Sequence, residues 1–239
     1  MLLQQIPTGP IILALFIIVA LVGFVGMLGL IAFLFSRAAK RRTGDPERGR
    51  QMQQAAGQLG LSFSPTVQVG SVPFLAGYKL SEGHPSTVEN LLTGQVNGLN
   101  VAVFDLAFRN AGGAVGYGST TSRQTMFAVT SAQLNLPEFY LEPEGMSEKL
   151  LSEFSRIDID FPERPVFSDR YLLYGADERA IRGLFSIGKL DFFEQNQGLS
   201  VFGRANLLLL HRSRTQAPPD QIAQYVNFLS FLHGVFRQR

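Results

Sequence analysis

Two carboxylates stand two residues apart in Ile157-Asp158-Ile159-Asp160-Phe161, and their spacing is the first feature of this chain able to do chemistry. In an extended strand, alternate residues share a face, so Asp158 and Asp160 fall on one side and the three apolar residues on the other. Paired carboxylates can hold a cation or divide acid and base roles between them. They equally make the wet face of an edge strand, neutralised by Arg156, Arg164 or Arg170. With no His and no third acid in the local pattern, the edge-strand reading is the stronger. Asp105 is a third candidate acid. It shares a strand face with Val101 and Val103, a setting that calls for a buried hydrogen bond or ion pair rather than a free acid.

Other near-motifs fail on a named residue. Gly113-Ala-Val-Gly-Tyr-Gly118-Ser119-Thr120 resembles a phosphate-binding loop but lacks the Lys, and a strand-like stretch follows where a helix is required. A hairpin connection suits it better. Gly198-Leu-Ser200-Val-Phe-Gly203 misses the nucleophile elbow by one residue, and Ser200 lies inside a strand pattern. The chain has no Cys, which excludes a thiolate metal site, a cysteine nucleophile and a disulfide framework. His84, His211 and His233 are its three histidines, each placed as a structural residue. No cofactor and no metal are expected.

The elements that must carry these residues begin with an anchor. Residues 11–35 contain no ionisable side chain, and as a helix they would span ~37 Å, enough to cross a hydrocarbon core about 30 Å thick. A cleaved signal would need a basic start and a small-residue cleavage site, and residues 1–10 hold no Lys or Arg. Residues 37–50 carry six basic residues against two acidic ones, while 15 basic and 17 acidic residues follow from residue 51 on. Basic flanks stay on the cytoplasmic side, so residues 1–10 are expected outside, 11–35 across the membrane, 36–50 as a basic linker and 51–239 as a cytoplasmic domain. Arg37, Lys40, Arg41 and Arg42 are the expected contacts with anionic lipid head groups. The basic surplus is confined to the linker, which argues against nucleic-acid binding.

Asp45-Pro46-Glu47 starts a helix with Met52, Ala55, Ala56 and Leu59 on its apolar side, ended by Gly60. Asn97-Gly98 between apolar runs predicts a hairpin. Residues 100–108 alternate with both faces largely apolar, the pattern of a central strand, and residues 123–130 form another. Met146, Leu150, Leu151 and Phe154 mark a short helix, and residues 170–174 a strand. Asp177 caps a helix running to Phe185, with helical structure resuming over 190–194. Residues 199–203 and 206–212 pair as a hairpin. The last helix follows Pro218-Pro219-Asp220 with a stripe of Ile222, Tyr225, Val226, Leu229, Leu232 and Phe236. Phe228, Phe231 and Val235 widen that stripe, more in keeping with deeper packing in the domain than with a partner or membrane contact. The fold class is α+β, a mainly antiparallel sheet with packed helices and a C-terminal helix.

The segments Asn90-Leu-Leu-Thr-Gly94, Val103-Phe104-Asp105, Gln124-Thr125, Leu136-Pro137-Glu138-Phe139-Tyr140-Leu141-Glu142-Pro143-Glu144, Asp158-Ile159-Asp160-Phe161 and Phe167-Ser168-Asp169-Arg170-Tyr171-Leu172-Leu173-Tyr174-Gly175 carry a resemblance. Over residues 59–236 the chain resembles an uncharacterised family of bacterial single-pass membrane proteins. That likeness implies a bacterial source and a shared fold and assigns no role. Two classes of function remain. One is a non-enzymatic binding or scaffold module with a protein partner at the cytoplasmic membrane face. The other is a membrane-tethered hydrolase or ligand-binding enzyme using Asp158, Asp160 and Asp105. Convergence of those acids in one pocket would favour the second.

Overall fold

The computed structural model describes residues 45–75, 78, 85–110, 120–145 and 158–237. The expected membrane span, the contacts at Arg37, Lys40, Arg41 and Arg42, His84, the body of the 113–120 loop and the helix expected over 146–154 lie outside the described residues. Among the described residues, no helix is long and apolar enough to cross a membrane.

The domain opens with helix α1 (Pro46–Leu59), whose Met52, Ala55 and Ala56 are buried as the helical period requires. Strand β1 (Ser62–Val67) then enters an eight-stranded sheet with β2 (Pro85–Val96), β3 (Leu99–Asn110), β4 (Thr120–Thr130), β5 (Leu136–Pro143), β6 (Tyr171–Gly175), β7 (Ser200–Ala205) and β8 (Leu207–His211). Their spatial order is β1-β2-β3-β4-β8-β7-β5-β6, and every neighbouring pair is antiparallel. The four-residue helix α2 (Pro165–Ser168) precedes β6. Helices α3 (Glu178–Leu184) and α4 (Ile187–Gln195) join β6 to β7, and α5 (Ile222–Phe236) ends the fold. The expected α+β class with an antiparallel sheet and a C-terminal helix is the architecture observed.

Local signals placed most of these elements. Asn97 and Gly98 both take positive φ, 52° and 76°, as a two-residue turn between twisted strands demands. The Asp177 side chain accepts from Ala180 N at 2.9 Å and caps α3. Strand β5 is the element that sequence pattern does not announce. Pro137 and Pro143 sit within it, yet it lies between β7 and β6. Its Phe139 ring lies over β7 because its register partner is Gly203, where a Cβ would come within 2.2 Å of the ring.

The sheet separates two apolar layers. On one face, Val101, Val103, Phe127, Phe139, Leu141, Leu173, Val201, Leu208 and Leu210 meet α1, α3, α4 and α5. Phe139 anchors that layer with Phe185 and Phe236 at ring distances of 5.2 and 5.6 Å. On the other face, Phe104, Met126, Tyr140, Tyr174, Phe202 and Leu209 form a second cluster, joined by Val69, Val72, Phe74, Leu75 and Tyr78 from the segment after β1.

Two expectations need correction. Residues 158–161 are not a strand. Ile159 N donates to Leu173 O at 2.7 Å, a single rung on the outer edge of β6. The last-helix residue Phe231 does not pack into the domain, being 58% exposed, because Ile222, Val226, Leu229, Leu232 and Phe236 already fill the buried side of α5.

Candidate functional site

Asp105 sits in the middle of β3, wholly buried, on the helix-covered face with Val101 and Val103. A buried carboxylate needs donors for its lone pairs or it neutralises. Here Arg48 of α1 supplies two, from Nε to Oδ2 at 2.7 Å and from Nη2 to Oδ1 at 2.8 Å. Asn90 Nδ2 reaches Oδ2 at 2.9 Å, and Thr125 Oγ1 donates to Oδ1 at 2.7 Å. The remaining groups are satisfied in turn. Arg48 Nη1 donates to Ala217 O at 2.9 Å, and Thr125 Oγ1 accepts from Ala217 N at 2.9 Å and from Arg48 Nη2 at 3.0 Å.

Each partner owes its place to a local device. Thr125 is the direct register partner of Asp105 on β4. Asn90 is turned to the carboxylate by a bulge, since two residues of β2, Asn90 and Leu91, oppose one of β3 between the Glu89–Asp105 and Leu92–Val103 pairs. Its φ of 52° is a conformation that Asn tolerates better than most residues. Arg48 projects from the first turn of α1. A second pair, Arg123 Nε to Glu89 Oε2 at 3.2 Å, lies alongside, with Glu89 the register partner of Asp105. Asn90, Asp105 and Thr125 belong to three of the segments on which the family resemblance rests. Their meeting in one network is a tertiary fact. With four donors on two oxygens, Asp105 has no lone pair left for a substrate or a cation.

The acid pair behaves differently. Asp158 Oδ1 accepts from Leu173 N at 2.8 Å and so stands in for a backbone carbonyl on the outer edge of β6. Burial raises its pKa above the ordinary carboxylate value. The Leu173 amide opposes that rise, and Asp160 and Glu144 add to it. Asp160 is exposed, with its backbone carbonyl held by Arg182 Nη1 at 2.7 Å. Two of the three arginines expected to neutralise the pair have other partners: Arg164 engages Asp191 and Glu194, and Arg170 donates to Glu194 O, while Arg156 lies outside the described residues. Four strands separate β3 from β6, roughly 24 Å along the sheet at the usual interstrand spacing, so Asp105 does not converge with Asp158 and Asp160. Among the described residues, no group of three or more His, Asp or Glu is placed to hold a metal ion.

Ser200 and His211, both buried, face each other as a register pair of β7 and β8 on the second face of the sheet. Tyr78 Oη lies 2.6 Å from His211 Nε2. Among the described residues, Ser200 Oγ and His211 Nδ1 have no hydrogen-bond partner. Burial lowers the His211 pKa to about 3, so the ring is neutral at pH 7 and too weak a base to activate a hydroxyl. A cleft between β4, β8 and α5, lined in part by Thr125, Phe127, Leu210 and Tyr225, offers about 10 Å³, room for about one water.

No family model matches this sequence, and no curated protein matches it. A solved structure is similar in fold. The crystal structure of the mycobacterial trehalose monomycolate transport factor A, TtfA, aligns with a TM-score of 0.55 over 80% of this chain and 97% of that one. The two share 16% sequence identity, so the likeness is one of fold.

Proposed function

We propose that this chain is a single-pass membrane protein of bacterial origin whose α+β domain works as a binding or scaffold module at the cytoplasmic membrane face. Residues 11–35 would anchor it, with Arg37, Lys40, Arg41 and Arg42 against anionic head groups. The observation that carries the reading is the saturation of Asp105: the acid best placed for chemistry is spent on holding α1 to the sheet. The separation of Asp158 and Asp160 from it takes further support from the hydrolase alternative. TtfA, named as a trehalose monomycolate transport factor, shares the fold, and that name is in keeping with a non-enzymatic role by analogy of fold.

Alkaline carbonate extraction of membranes tests the anchor, since burying 25 apolar residues far outweighs peripheral attachment. Full-length protein is expected in the pellet, and its recovery in the supernatant would refute the reading. Affinity purification from solubilised membranes then tests the module. A stable protein partner is expected. A hydrolytic activity lost in the Asp158→Asn, Asp160→Asn double variant would replace the module with an enzyme.

A further inference from the structure

Leu209, Phe202, Tyr140 and Tyr174 form a row across β8, β7, β5 and β6 on the second face of the sheet, joined by strand register and by ring distances of 4.8 and 5.2 Å. Two residues along β8 and β7, His211 and Ser200 oppose one another on the same face. Continuing the β5–β7 register by one step sets the buried Glu142 beside Ser200. An aromatic row therefore adjoins a polar one. Ser200 and His211 are only 1% and 4% exposed, and among the described residues Ser200 Oγ and His211 Nδ1 have no hydrogen-bond partner. Buried polar atoms are ordinarily paired, because leaving one unpaired costs stability. Opposed side chains on antiparallel strands start about 5 Å apart, so one oxygen placed between these two would bond both. Tyr78 sits over the junction of the rows. Its ring lies 5.3 Å from Phe202 and 6.1 Å from Tyr140, and its hydroxyl 2.6 Å from His211 Nε2. The segment before it, with turns Val69–Ser71 and Pro73–Leu75, is bonded to itself: Ser71 N to Gln68 O, Val72 N to Val69 O, Leu75 N to Val72 O and Tyr78 N to Leu75 O. Val69, Phe74, Leu75 and Tyr78 stay part-exposed, while the aromatic row beneath is buried. The segment rests on the sheet as a flap.

We propose that this face is a binding site for an uncharged amphiphile, an apolar chain with a hydroxylated head, and that Tyr78 holds its place. The inference rests on the anchored-module reading and names a ligand for it, since a bilayer is a source of such molecules. Tyr78 displays the chemistry that the site accepts, with an apolar body on the aromatic row and one hydroxyl at the polar row. A hydroxyl both donates and accepts, so it satisfies Ser200 Oγ and His211 Nδ1 whichever ring nitrogen carries the proton. An anionic head fits poorly. Burial keeps His211 uncharged, Ser200 is neutral, and Glu142 stands on the same row. From His211 to Leu207 the face runs about 13 Å along β8, so a chain can lie lengthwise on it. A chain lying there takes the positions of Tyr78, Leu75 and Phe74. Because the turns of the flap are bonded within themselves, it lifts without breaking the sheet ladder.

The test uses the full chain in phosphatidylcholine vesicles. The chain has no native Trp, so Phe74→Trp puts a single fluorescent reporter on the flap. Titration with a monoacylglycerol brominated on its chain is expected to quench that reporter to saturation. Adding Ser200→Ala removes one hydrogen bond to the head and should raise the half-saturating mole fraction about fivefold. Adding Tyr78→Phe instead removes the hydroxyl that competes for the polar row and should lower it by about the same factor. A tyrosine serving the core alone would lose stability with no gain in binding. Phe231→Trp, on the exposed side of α5, controls for collisions with bromine in the bilayer and should show neither saturation nor dependence on Ser200. Quenching of the flap reporter that never saturates, or that either added substitution leaves unchanged, overturns the proposal. So does equal saturation by a brominated fatty-acid anion, which would show that the head group is not read. Equal quenching by brominated phosphatidylcholine also overturns it, by placing the flap against the bilayer. Carbonate retention is read on the same vesicles, so failure of the site and failure of the anchor are distinguished.

Discussion

Replacing His211 should remove a defined share of the acid sensitivity of the domain. The ring is buried at the end of β8, with Tyr78 Oη at 2.6 Å and Ser200 across the strand pair, and desolvation lowers its pKa from the ordinary 6.5 to about 3. The folded state therefore keeps the ring neutral while the unfolded chain takes up a proton below pH 6.5. Stability from this group is complete above pH 6.5, is lost as pH falls, and levels off below about pH 3. Each pH unit inside that window costs about 1.4 kcal/mol, so the loss between pH 7.5 and 4.5 comes to ~2.7 kcal/mol. His211→Gln keeps an amide to meet the Tyr78 hydroxyl but cannot titrate. Urea unfolding of a fragment starting at residue 45, followed by circular dichroism at both pH values, gives the two losses. Other groups contribute about equally to both proteins, so the wild type should lose about 2.7 kcal/mol more than the variant. Equal losses would show that His211 is solvated or partnered in the folded state and would refute the reasoning.

Arg48→Ala should destabilise the domain by about 3–5 kcal/mol in urea unfolding, because it strands the wholly buried Asp105 carboxylate with two neutral donors. For the same reason a fragment starting at residue 51 should unfold at lower urea than one starting at residue 45, and equal midpoints would show that the ion pair is dispensable. Asp158→Asn keeps an acceptor for Leu173 N while removing a charge whose pKa is raised by burial. Its wild-type contribution is most favourable when protonated and declines as pH rises from 3.8 through the raised value, so the variant should lack that decline and change neutral-pH stability by no more than about 1 kcal/mol. The double variant Asp158→Asn, Asp160→Asn should match the wild type in showing no change of melting temperature with millimolar Mg²⁺ or Ca²⁺. A wild-type shift of several degrees that the double variant lacks would establish a cation site.

Periodicity and turn chemistry make much of the chain legible from its residues alone. The Asn97-Gly98 hairpin, the central strand over residues 100–108, the Asp177 cap and the buried stripe of α5 all follow from interactions within a few residues, and each lies where the local pattern puts it. The same alternation marks Asp105 as a buried partner, since an acid between Val103 and an apolar neighbour face has few other uses. The identity of its partner is not legible in this way. Arg48 lies 57 residues away and, read along the chain, belongs to the basic run that follows the apolar stretch of residues 11–35. Only the docking of α1 over β3 separates it from that run. Strand β5 is hidden for a related reason. Its two prolines argue against an inner strand, and only the partners supplied by β6 and β7 show which of its backbone groups are paired. Strand order, the bulge that turns Asn90, and the exposure of Phe231 likewise depend on which surfaces are already occupied. A sequence period states that a face is apolar, because that is set residue by residue. What covers the face is set by segments far away in the chain, and backbone hydrogen bonds between strands carry almost no side-chain signature of their choice.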